Sequence, residues 1–140
     1  MTGPRAMTGP GGGRAPSAAE LSVLADQALA TIPAALRVRV QGVAILVEEF
    51  PDDATLEAMG LDSPFDLLGL YQGVPIGDKG VTAVAVDLDR IFLYRVPILS
   101  YWIEVDETLE DVVRNTLIHE IGHHFGLSDQ DMDDIEDSED

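Results

Sequence analysis

The 140-residue chain contains no cysteine, which excludes disulfides, thiolate metal sites and a thiol nucleophile. Any metal must be held by nitrogen and oxygen. Basic residues are scarce, with eight Lys and Arg against 26 Asp and Glu for a formal charge of -18. So negative a chain repels phosphate backbones and anionic lipid surfaces, so neither nucleic acid nor a membrane is expected as a partner. Long hydrophobic runs are also missing. The longest apolar stretch, from Leu21 to Leu36, is interrupted by Ser22, Asp26, Gln27, Thr31 and Pro33, which leaves no membrane span. The N-terminus lacks the apolar run of a secretory signal, so the expected compartment is the cytoplasm.

What is present suits one soluble globular domain: hydrophobic residues make up 46% and charged residues 24%, enough apolar material for a buried core. Residues 1–16 read as a flexible Gly/Pro-rich tail in which MTGP occurs at Met1–Pro4 and again at Met7–Pro10, with Met7 offering an alternative start. The folded domain is expected over residues 17–137, followed by an acidic terminus at 138–140.

Ser17 followed by Glu20 is a capping-box pattern, and Leu21, Leu24, Ala25, Ala28 and Ile32 recur at helical spacing. A helix from Ala18 to about Thr31 follows, with Pro33 opening one further turn through Leu36. Val43–Val47 is a continuous β-favouring run, expected to be covered on both faces and central in a sheet. Asp52 and Asp53 ahead of Ala54–Met59, with Gly60 behind, predict a short helix. Leu67–Gln72 and Arg90–Arg95 read as strands joined by a loop through Gly73, Gly77 and Gly80, and Pro97 as the opening of a helical turn through Tyr101 and Ile103. Asp106 is the expected N-cap of a long helix with Glu107, Glu110 and Asp111 in its first turns, a core stripe of Leu109, Val112, Val113, Thr116, Leu117 and Ile121, and Gly126 as its stop.

That last helix carries the chemistry. Its end reads His119-Glu120-Ile121-Gly122-His123-His124-Phe125-Gly126-Leu127-Ser128-Asp129, and all three histidines of the chain fall within it. Residues four apart on a helix lie one above the other, so His119 and His123 can aim both imidazoles at one point. Zinc takes two such nitrogens, a further protein ligand and one open position for water. Glu120, one residue along, can sit beside that water without being a ligand and accept a proton.

The third ligand has three candidates. Gly126 can take a left-handed conformation that turns the chain back and lets Asp129 swing towards the metal. Asp129 also suits the first position of a helix capped by Ser128 and running to about Asp137, where an acid is favourable for its own reasons. His124 points about 100° away from His123 round the helix, and Glu136 requires the last helix to fold back. Asp129 is the preferred reading, because two histidines alone hold zinc poorly and a carboxylate nearby completes the set.

The stretch His119–Asp129 matches His-Glu-x-x-His-x-x-Gly-x-x-Asp. The longer string HEIGHHFGLSDQDM, with GLYQGVP and DRIFLYRVPI upstream, resembles the small bacterial zincin-like metallopeptidases over most of the chain from about Leu21 to Glu136. The resemblance implies a compact α+β domain whose small twisted sheet packs on helices. It also implies one zinc ion on His119, His123 and Asp129, Glu120 as the catalytic base, and a peptide or protein as substrate. The wider metzincin group usually places a histidine where Asp129 stands and a methionine in a turn further downstream. Met132 follows Asp129 by only three residues, and it reads as packing beneath the metal site or in a helix interface.

With that chemistry, Tyr71, Tyr94, Tyr101 and His124 are candidate donors to a developing oxyanion, although each also reads as a packing or helix-end residue. An edge at Leu67–Gln72 could pair with a peptide in extended form. The eight acids between Asp129 and Asp140 read as a solvated tail. Two rival classes stand beside the peptidase. A non-catalytic zinc-containing binding module follows if a further ligand such as Glu136 closes the site. A metal-dependent nuclease could use a related arrangement but needs a basic surface.

Overall fold

The computed structural model describes residues 14–73 and 89–139, with side chains through residue 135. Among the described residues six α-helices surround one three-stranded sheet, an α+β arrangement. Helix α1 (Ala18–Leu29) starts at the expected capping box: Glu20 N–H donates to Ser17 Oγ at 3.1 Å and Ser17 N–H to Glu20 Oε1 at 2.7 Å. Pro33 caps rather than opens the short α2 (Ala34–Arg37), which runs on into a 3-10 turn at Val38–Val40.

Strand β1 (Ala44–Glu48) lies parallel to β3 (Arg90–Tyr94), and β2 (Gly69–Gln72) lies antiparallel to β3 on its other side. The expectation of a central β1 is therefore corrected, because β3 is the middle strand among the described residues and β1 an edge. Burial on both faces is corrected too. Ile45 and Val47 pack on the core, whereas Leu46 is 40% exposed and Glu48 is exposed. An apolar run signals the covering of both faces, but here Leu46 is simply an apolar residue on the open one. The interior strand is β3, with Ile91 and Leu93 fully buried.

Helix α3 (Asp53–Met59) is capped by Asp52, whose carboxylate accepts from Thr55 N–H at 2.8 Å, and it ends at Gly60 in the left-handed region. The loop expected through Gly73, Gly77 and Gly80 lies outside the described residues beyond Gly73. Helix α4 (Arg95–Glu104) begins directly where β3 ends, so Arg95 and Val96 precede Pro97 in the first turn. Proline is tolerated there because the first amides of a helix have no partner within it. Arg95 also ties three segments together: its Nε donates to the Pro16 carbonyl at 2.7 Å and its guanidinium pairs with Glu49 at 2.8 Å.

Helix α5 (Leu109–His124) crosses the core against α1 and β2. All six residues of its expected stripe are buried, and Ile118 and Gly122 join them. Its cap is Thr108, not Asp106: Asp111 N–H donates to Thr108 Oγ1 at 3.0 Å. Asp106 lies two residues too early for its carboxylate to serve those first amides. The final helix, α6 (Asp129–Glu139), begins where expected. Ser128 and Asp131 cap it reciprocally, each backbone N–H donating to the other's side chain at 3.0 Å. Among the described residues no single helix is long and apolar enough to cross a membrane.

The cap assignment has a direct test by chemical denaturation. Thr108→Ala is expected to destabilise the domain by about 1 kcal/mol, whereas Asp106→Ala should stay within about 0.5 kcal/mol of the parent, as surface changes do. Equal losses from the two variants would return the cap to Asp106.

Candidate metal centre

Helix α5 has two jobs on opposite faces. Val112, Val113, Leu117 and Ile121 face the core, while His119 and His123, one turn apart, stand exposed on the outer side with ring centroids 5.9 Å from each other. The helix then stops in a way that decides where the chain goes next. Phe125 caps it, Gly126 takes φ 79°, Leu127 N–H donates to the Gly122 carbonyl at 2.8 Å and Gly126 N–H to the His123 carbonyl at 3.1 Å. These two bonds form a Schellman turn, whose left-handed position favours glycine because other residues meet a Cβ clash there.

The reversal delivers Asp129 to the histidines. Its Oδ1 lies 3.4 Å from His123 Nε2 and 3.9 Å from His119 Nδ1, and one ligand atom from each of the three residues lies within 4.8 Å of the others. Ligands held about 2.0–2.1 Å from a tetrahedral zinc are separated by about 3.4 Å, so two of these spacings come close to what zinc requires. The donor set of two imidazoles and one carboxylate fits zinc as well, and all three residues are exposed, which leaves room for water at a fourth position.

Glu120 sits differently from its neighbours on the helix. It is only half exposed, burial raises its carboxyl above the ordinary glutamate range, and the nearby His123 and the Tyr71 backbone oppose that rise. The strand register sets the direction of the Tyr71 amide. Tyr94 N–H donates to the Leu68 carbonyl and Leu70 pairs with Phe92. By the alternation of an antiparallel ladder, Tyr71 then turns its own N–H away from β3, towards the outer edge of β2. Glu120 stands beside the same strand, its Cγ 3.4 Å from where a Cβ at Gly69 would lie.

The remaining candidates separate. His124 does not join the ligand group; its ring stacks on Tyr71, with centroids 3.9 Å apart and planes 14° from parallel. The side chain of Glu136 lies outside the described residues. The Tyr71 hydroxyl donates to Asp89 Oδ2 at 2.8 Å, and burial first, then Asp89, raises its pKa. Tyr94 is 3% exposed and its phenol is pushed up to about 12 by burial and by the charges of Glu48, Asp52 and Glu120. Tyr101 is 43% exposed on α4. Met132 is 1% exposed and its sulfur fills the space a Cβ at Gly122 would need, the helix-interface packing expected of it. Sequence reasoning missed the contribution of the Tyr71 backbone and of Asp89. The sequence signal was the pair of glycines that bracket Tyr71 in GLYQG.

No curated protein matches the chain. Residues 40–139, well over half of it, match the family described as zincin-like metallopeptidase. With its helix, turn and carboxylate arranged as above, the chain belongs to the zincin-like metallopeptidase family.

Proposed function

We propose that the protein is a zinc-dependent peptidase that hydrolyses peptide bonds with Glu120 as general base. The observation that carries this reading is the gathering of His119, His123 and Asp129 within 4.8 Å beside a half-buried Glu120. His119, His123 and Asp129 would hold one zinc ion. When bound, zinc supplies a Lewis acid that acidifies water and polarises a carbonyl.

The chain's own part is proton handling and placement. The Glu120 carboxylate takes a proton from the attacking water and later gives it to the leaving amine, a role suited to a carboxyl whose affinity for protons burial has raised. A peptide in extended form is the substrate we favour, seated along β2 on the side of Gly69 away from the Tyr71 amide, β2 being an edge strand among the described residues. The charge of -18 argues against nucleic acid or an anionic membrane as partner, and a cytoplasmic setting belongs to the same proposal. The binding-module reading requires a further ligand, and none accompanies the three residues among the described side chains.

Two sets of variants test the proposal. In competition with a chelator, Asp129→Ala should weaken zinc binding by at least about tenfold while Glu136→Ala leaves it unchanged; equal affinities for the parent and Asp129→Ala would remove Asp129 from the ligand set. Zinc that binds only the folded chain stabilises it by about 2.7 kcal/mol at about 100 times its Kd. Chelation should therefore lower the melting temperature by several degrees.

Catalysis is tested separately from binding. Glu120→Gln should keep its zinc and its melting temperature but lose about 10²- to 10⁴-fold in cleavage rate on a broad peptide library, whereas His119→Ala should lose metal and activity together. Cleavage at the parental rate by Glu120→Gln would overturn the assignment of the base. A fully zinc-loaded parent that cleaves no peptide would favour the binding module, and cleavage of RNA alone would favour the nuclease.

A further inference from the structure

The segment from Gly69 to Gly73 approaches α5 more closely than side chains would allow. A Cβ at Gly69 would lie 3.0 Å from Thr116 Cγ2, 3.0 Å from the Phe92 carbonyl oxygen and 3.4 Å from Glu120 Cγ. One at Gly73 would meet the His124 ring at 2.6 Å. Between these two bare positions stands Tyr71, which is 8% exposed and held in three ways. Its hydroxyl donates to Asp89 at 2.8 Å, its ring stacks on His124 at 3.9 Å, and Phe125 meets it edge-on at 5.9 Å. Its backbone N–H faces away from β3 by the register of the ladder, and Glu120 stands beside the same strand, its Cγ 3.4 Å from where a Cβ at Gly69 would lie.

We propose that Tyr71 is the positioning residue of the general base: its anchored ring fixes the place of its backbone N–H, and that N–H holds the Glu120 carboxylate in one orientation. The two glycines make the grip possible by letting the strand lie flush against the helix. The inference rests on the reading of Glu120 as base. A carboxylate on a helix surface has freely turning side-chain bonds, and a displacement of about 1 Å at a reacting group can cost on the order of 10²-fold in rate. Burial alone does not select a rotamer. A directional hydrogen bond from a strand whose side chain is locked at both ends does.

The test uses the zinc-loaded full chain and reads kcat and KM separately on a peptide that the parent cleaves. Tyr71→Phe keeps the stack and should retain most of kcat. Tyr71→Ala should lower kcat by about 10- to 100-fold with KM and zinc affinity within about twofold of the parent. Gly69→Ala should also lower kcat, because the new methyl presses on Thr116, the Phe92 carbonyl and Glu120. Adding Thr116→Ser, which removes the methyl it meets, should recover part of that loss, while Thr116→Ser alone stays near the parent. Loss of zinc affinity in step with kcat, or an unchanged kcat in Tyr71→Ala, would reduce Tyr71 to a packing residue. Amide hydrogen exchange gives a second readout that needs no substrate: Glu120→Ala should speed exchange at the Tyr71 amide and leave the other amides of β2 unchanged. Unchanged exchange at Tyr71 overturns the grip itself. A parent that holds zinc, shows the exchange effect and cleaves no peptide overturns the peptidase reading instead and leaves the grip standing.

Discussion

The site depends on how one helix ends. Without the left-handed residue at Gly126 the chain would leave α5 along its axis, and Asp129 would be carried away from both histidines. With it, Leu127 N–H closes onto the Gly122 carbonyl, the chain reverses within three residues, and α6 starts with its first side chain beside His123. The same turn lays Met132 against Gly122, so the metal group and the helix interface arise from a single change of direction. The turn itself satisfies the Gly122 and His123 carbonyls near the end of α5.

Helix α5 in turn owes its placement to close approach. At Gly122 the sulfur of Met132 fills the space of a missing side chain, and at Gly69 strand β2 comes up to Thr116 and Glu120. A helix seated on both flanks in this way cannot rotate to turn its histidines elsewhere without opening a gap in a densely packed interior. The exposed face is therefore as well defined as the buried one. The two exposed histidines stay in line because the backbone beneath them is fixed by Val112, Val113, Leu117 and Ile121.

Much of this was legible in the residue order, for reasons that differ from place to place. The periodicity of 3.6 gave α5 its core stripe and placed His119 and His123 on one line. The Gly126 stop and the Ser128 cap together implied the turn and the start of α6. Local chemistry could not order the strands. The Val43–Val47 run reads as doubly buried, yet the order of a sheet is set by which strand finds two partners, and that is a long-range outcome. The choice of Thr108 over Asp106 fell within the two-residue ambiguity of any helix start. The link from Tyr71 to Glu120 was out of reach because it runs through a backbone amide, which every residue but proline carries.

Charge couples the metal group to the last helix. Among the described side chains of α6 only Met132 is fully buried, with Ile135 half-buried, while Asp129, Asp131, Asp133 and Asp134 are exposed. Like charges at such spacing oppose helix formation, and among the described side chains the apolar anchors of α6 are Met132 and Ile135, beside the reciprocal cap. Asp129 is the first residue of this acidic element, whereas His119 and His123 belong to a helix with eight buried residues. A divalent cation shared between them would join the two, offsetting part of the acidic repulsion and fastening the start of α6 to the end of α5. Because the carboxylate is placed only when α6 is docked, binding of the ion and docking of the helix draw on the same free energy.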